Sequence, residues 1–170
     1  MILRHYASVP VELDRDRMYE QRECRIFGKP QGLWISVLGE DDWPAWCRRE
    51  EFCPEDLDYV HSVTLSRSAS VLLINGKMEI ETFYEPFGLP NGGIDWPKFA
   101  KLYDGIIITP YVWECRLSVD WYYGWDCASG CIWNLDAIDS FQLLTDEELE
   151  RPRDGTRVCL SPIVESASSE

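Results

Sequence analysis

At 170 residues, 45% hydrophobic and 13% aromatic, the chain can bury one substantial core and has the length of a single domain. No apolar run approaches the about 18 residues of a membrane span, and no basic segment leads into an apolar one at the start, so neither a spanning helix nor a secretory leader is expected. The formal charge of −14 excludes a general nucleic-acid-binding surface, because so acidic a chain repels phosphate backbones over most of its area.

The charge is uneven. Residues 1–31 hold Arg4, Arg15, Arg17, Arg22, Arg25 and Lys29 against five carboxylates, and the chain from Asp136 onward is strongly acidic. An anionic ligand is therefore better received by the N-terminal third. Seven cysteines is an odd number at irregular spacing, which points to reduced thiols and a cytoplasmic protein rather than a disulfide scaffold. The expected layout is one globular domain over 1–150 and an acidic, Ser-rich, partly disordered tail over 151–170.

In chain order, Ile2 to Tyr6 reads as a short first strand that Pro10 limits. Val11 to Arg25 is charged and is either helix or loop. Gly28-Lys29-Pro30-Gln31-Gly32 is a turn into a strand over Leu33 to Leu38. Asp42 is placed to cap a helix with Pro44 in its first turn, ending before Cys53-Pro54. Val60 to Leu65 and Ser68 to Asn75 read as strands. Glu79 to Tyr84 is either strand or helix, and Pro86 to Gly93 is loop. Asp95 is placed to cap a short helix with Pro97 in its first turn. The best buried strand lies within Tyr103 to Thr109, and further strands are expected at Cys131 to Trp133 and Ile138 to Leu144, before a helix-start signal at Thr145 to Glu148. Short strands with a few inserted helices predict an α+β fold of mostly antiparallel strands.

The stretch from Trp121 to Asn134 holds three of the eight tryptophans with Gly124, Ala128, Ser129 and Gly130 among them. Flat side chains beside small residues suggest a wall where backbone comes close to something. Its cysteines, Cys127 and Cys131, and the earlier pair Cys47 and Cys53, lack zinc-knuckle spacing, and the only histidines are His5 and His61, so buried thiols are favoured over metal ligands. A nucleophilic pair of Cys127 or Cys131 with His5 has no local motif behind it. P-loop, dinucleotide-fold and α/β-hydrolase signatures are absent.

Three blocks remain: Arg4-His5-Tyr6 on the first strand; Gly32-Leu33-Trp34-Ile35-Ser36 after its glycine turn, followed by the helix from Asp42; and the strand after Tyr103-Asp104-Gly105 with the aromatic stretch behind it. Their order resembles the His-bearing branch of the ADP-ribosyltransferase superfamily, which includes the poly- and mono-ADP-ribosyl transferases, DarT-like toxins and RNA 2′-phosphotransferases. The likeness covers mainly residues 1–50. It implies a split-sheet α+β fold, NAD as the cofactor, and ADP-ribosyl transfer to a protein, nucleic-acid or small-molecule acceptor. It implies His5 as the first motif, and Gly32, Trp34 and Ser36 within the second, with Trp34 in the place usually held by Tyr.

The family's third motif, a carboxylate on a later strand, falls on Asp126, Glu114 or Asn134, of which Asp126 is chosen. The expected catalytic residues are thus His5 and Asp126, and the expected NAD contacts are Arg4, Tyr6, Gly32, Trp34, Ser36 and Trp125, with no metal. Such a site needs an aromatic to stack the departing ring, donors for the amide and ribose, a carboxylate for the ribosyl cation, and Arg4 or Lys29 for the pyrophosphate. It also requires that His5, Trp34, Ser36 and the carboxylate meet in one cleft, and it breaks if His5 and Trp34 lie on opposite faces of the sheet. The rival expectation is a non-catalytic acidic protein, an inhibitor, antitoxin-like factor or nucleic-acid mimic, engaging a basic partner through aromatic anchors.

Overall fold

A computed structural model describes residues 1–23 and 27–149; the tail expected over 151–170 lies outside them. Seven strands form one sheet: β1 (Leu3–Ala7), β2 (Leu33–Val37), β3 (Tyr59–Leu65), β4 (Val71–Ile74), β5 (Gly105–Ile108), β6 (Ser129–Ile132) and β7 (Ile138–Leu143), in the spatial order β4-β5-β6-β2-β1-β3-β7. Every neighbouring pair is antiparallel except β4 with β5. The fold is α+β, with four short helices among the described residues: α1 (Trp43–Glu50), α2 (Lys77–Phe87), α3 (Trp96–Phe99) and α4 (Asp146–Leu149). No helix among the described residues is long and apolar enough to cross a membrane.

The two uncertain segments resolve for physical reasons. Residues 11–23 run as loop, lying over the sheet: the Val11 N–H donates to His61 Nε2 at 3.2 Å, and Arg15 donates to the Leu135 and Asp139 carbonyls. Glu79 to Tyr84 is helical, inside α2, because β4 and β5 are parallel and a parallel pair needs a crossover. Ile80, Phe83 and Phe87 form the buried stripe of that helix. Asp42 and Asp95 cap α1 and α3, accepting from the Ala45 and Lys98 N–H groups at 2.9 Å each.

The core is aromatic at one end. Phe83 lies 4.8 Å from Trp121 and 5.1 Å from Phe99, ring centre to ring centre, and Phe87 lies 4.9 Å from Phe99. Trp121 places its N–H on the Ile80 carbonyl at 3.2 Å, which ties the aromatic stretch to α2. Gly130 admits β5 at close range: a Cβ there would stand 2.6 Å from the Ile106 carbonyl oxygen.

Candidate functional site

The register decides which side chains meet. Arg4 pairs with Ser36, and Ser36 with Ser129. Side chains alternate along a strand, so Arg4, Tyr6, Trp34, Ser36 and Ser129 share one face of the sheet, and Leu3, His5, Leu33, Ile35 and Val37 share the other. The β1–β2 ladder stops after Arg4 and Ser36, while β1 pairs with β3 over its whole length. A cavity of about 330 Å³ opens where β1 and β2 part, within the size range of ligand pockets.

Arg4, Tyr6, Trp34, Ser36, Trp125 and Asp126 wall this cavity, joined by Lys29, Trp43, Asp56, Cys127 and Ser129. Trp34 packs on Trp125 with ring centres 5.0 Å apart. Trp125 is fixed at both ends of its peptide: its N–H donates to the Tyr122 carbonyl at 2.8 Å, and its carbonyl accepts from the Tyr111 hydroxyl at 2.7 Å. Burial pushes the Tyr111 phenol up to about 12, so it stays a neutral donor. Two donors of this wall are left over. The Trp125 indole N–H and the Arg4 Nε–H are enclosed by protein with no acceptor.

Asp126 faces the cavity and is not a mere turn cap. Its Oδ2 stands 3.1 Å from Lys29 Nζ, and the same ammonium lies 5.3 Å from the centre of the Trp34 ring. The Ser36 hydroxyl accepts from the Trp43 N–H at 2.9 Å, which couples β2 to the start of α1 and leaves its own proton to donate. Tyr6 is raised above the ordinary phenol value, by burial first, with the neighbouring Arg4 opposing.

His5 lines the cavity with the other expected residues, yet from the other face of the sheet. It lies on the opposite face from Trp34, directly across from His61, with its ring 5.9 Å from His61 and 5.7 Å from Phe141. His5 borders the cavity only at the parting of the strands, where its Nδ1–H donates to the Trp34 carbonyl at 2.7 Å in place of a ladder bond. The arrangement that the first motif requires is therefore missing, and the β1 residue level with Ser36 is Arg4. Gly32 also stands apart from the cavity wall. A Cβ there would be 2.6 Å from Cys131 Sγ and from the Ile132 carbonyl oxygen, so the glycine serves the contact between β2 and β6.

Of the three carboxylate positions, Asp126 alone reaches the cavity. Glu114 pairs with Lys77 at 3.3 Å, and Asn134 donates to Asp104 at 2.7 Å. Trp43 lines the cavity and also stacks on Trp46 at 4.9 Å. Asp56 had no sequence signal; it arrives from a 3-10 turn over Pro54–Leu57.

The thiols here are poor nucleophiles. Burial pushes Cys127 up to about 12 and raises Cys131 as well, so neither is a thiolate near neutral pH. No group of three or more His, Cys, Asp or Glu side chains that could hold a metal occurs among the described residues. Set against known proteins, the chain matches no family model, no curated protein and no solved structure.

Proposed function

We propose that the cleft between β1 and β2 binds NAD, and that its chemistry is ADP-ribosyl transfer in a form that dispenses with the His-bearing arrangement, which the opposite-face placement of His5 breaks, with Asp126 as the carboxylate and Arg4 as the contribution of β1. The observation that carries this is the convergence, on one face, of the Trp34–Trp125 pair, Asp126, Ser36 and the two cations Arg4 and Lys29. The Arg4 and Lys29 cations and the Ser36 hydroxyl fit a ligand rich in oxygen acceptors. About 330 Å³ is room for one end of a dinucleotide, and the aromatic wall favours the flat ring for that end. When bound, NAD would supply a ring able to leave with the electrons of the glycosidic bond, the ribosyl carbon bonding instead to an acceptor oxygen or nitrogen that gives up its proton. Asp126 then stabilises positive charge at the ribosyl carbon, while Arg4 and Lys29 hold phosphate and the aromatic walls keep water out. The His-bearing form of the family is not the form proposed.

Calorimetric titration with NAD, and incubation with labelled NAD and a cell extract, test this. Trp34→Ala is expected to weaken NAD at least about tenfold. Asp126→Asn is expected to lower transfer or hydrolysis by about a hundredfold at saturating NAD. Absence of binding, of transfer, of hydrolysis and of any NAD-dependent thermal shift would overturn it. The placement of His5, together with net charge −14, favours a second reading, a non-catalytic acidic protein engaging a basic partner. A tight complex that salt dissolves and NAD does not affect supports that alternative.

A further inference from the structure

The ammonium of Lys29 lies inside the cleft. It stands 3.1 Å from Asp126 Oδ2 and 5.3 Å from the centre of the Trp34 ring, which Trp125 backs from behind. An aromatic face beside a carboxylate is a seat for a cation, since both present negative potential to the same volume. The stem of Lys29 reaches this seat across Gly124. A Cβ on Gly124 would stand 3.1 Å from Lys29 Cε and 3.4 Å from Cγ, so the missing side chain gives the lysine its path. The side chains of Lys29 and Asp126 remain 41% and 27% exposed, so the pair sits at the solvent edge of the cleft.

We propose that Lys29 is a built-in occupant of this cation seat, and that the ligand group which takes its place is a flat ring bearing positive charge. The proposal rests on the cleft reading above and adds to it the charge of the ring and the residue that the ring displaces. A neutral ring entering over Trp34 expels the ammonium and strips Asp126 of its partner without replacing it. A cationic ring restores both the carboxylate contact and the contact with Trp34. The displaced Lys29, tethered between Gly28 and the buried Pro30, keeps its charge at the rim and meets the anionic part of the same ligand. Entry of the ring and capture of the phosphates are thereby one event.

Wild type and Lys29→Met are titrated calorimetrically with three probes: the N-methylnicotinamide cation, neutral nicotinamide and ADP-ribose. Thermal melts verify that the variant folds. Wild type is expected to prefer the cation over neutral nicotinamide. Lys29→Met is expected to bind the cation about tenfold tighter and ADP-ribose about tenfold more weakly. Adding Asp126→Asn to Lys29→Met is expected to remove the gain for the cation. The seat is overturned if Lys29→Met leaves the cation unchanged or weaker, or if neutral nicotinamide binds wild type as tightly as the cation. The two proposals separate cleanly. If neither protein binds NAD or ADP-ribose, yet Lys29→Met gains the cation, NAD recognition falls and the cation seat stands. If NAD binds wild type but Lys29→Met changes no ring affinity, the seat falls and NAD recognition stands.

Discussion

His5 shows how much one hydrogen bond can do at a parting of strands. Its ring donates to the Trp34 carbonyl at 2.7 Å where no backbone N–H of β1 does so. Removing it leaves a part-buried carbonyl without that donor on the strand that presents Trp34 to the cleft. His5→Ala is therefore expected to destabilise the fold by about 1–3 kcal/mol. Urea denaturation checks this, the midpoint falling at constant slope. A variant as stable as wild type would dismiss the bridging role. Trp125 is the opposite case: its peptide is held from both sides, and its indole N–H is left without an acceptor. Rigid anchoring of that peptide fixes the Trp125 ring against Trp34, so the aromatic wall needs no reorganisation when a flat ring arrives.

Among the elements, α1 and β6 position the cleft most directly. Asp42, buried before α1, accepts from the Ala45 N–H at 2.9 Å and the Gly39 N–H at 3.3 Å. Asp42→Ala loses both and is expected to cost about 1–2 kcal/mol, whereas Asp42→Asn retains most of the cap. Strand β6 is clamped between β5 and β2, and at Gly130 the approach of β5 leaves no room for a side chain, since an added Cβ would lie 2.6 Å from the Ile106 carbonyl oxygen. Gly130→Ala is expected to cost about 3 kcal/mol, the upper end for overpacking. Gly39→Ala, which meets nothing within 4 Å, is the neutral comparison. Thermal melts of the four variants should rank them accordingly, and a Gly130→Ala protein melting with Gly39→Ala would refute the tight approach.

For the whole molecule, buried ionisable groups bound the pH range of stability. Burial lowers His5 and His61 below the ordinary imidazole value of 6.5, so the folded state favours their neutral forms. Their contribution is present above 6.5 and is lost as pH falls through the lowered folded values. Burial raises Cys47 to about 11, and Cys127 and Tyr111 to about 12. These groups contribute fully below the unfolded values of 9.0 for a thiol and 10.0 for a phenol, and that contribution is lost as pH rises toward the folded ones. The melting temperature is accordingly expected to peak between pH 6.5 and 9.0. A calorimetric series across pH checks both flanks; continued stabilisation above pH 10 or below pH 6 would contradict the assignment.

Local chemistry was legible in the residues themselves. Asp42 and Asp95 with their following prolines announced two helix starts, and the apolar runs around Leu33, Val71 and Ile106 announced strands, because capping and burial act over a few residues. Of the aromatic stretch from Trp121 to Asn134, Trp125, Asp126, Cys127 and Ser129 line the cleft, while Trp121 and Trp133 pack in the core. What the sequence left undecided was phase. Arg4, His5 and Tyr6 alternate by the same period whichever face meets the cleft, and only the pairing of Arg4 with Ser36 assigns Arg4 to it and turns His5 away. Asp56 and Lys29 reach the cleft from segments distant along the chain, 70 residues before Asp126 in one case and 97 in the other. Their meeting is a property of the packed sheet and its loops, since spacing along a strand or helix constrains neighbours within an element but carries no information on which element will face it.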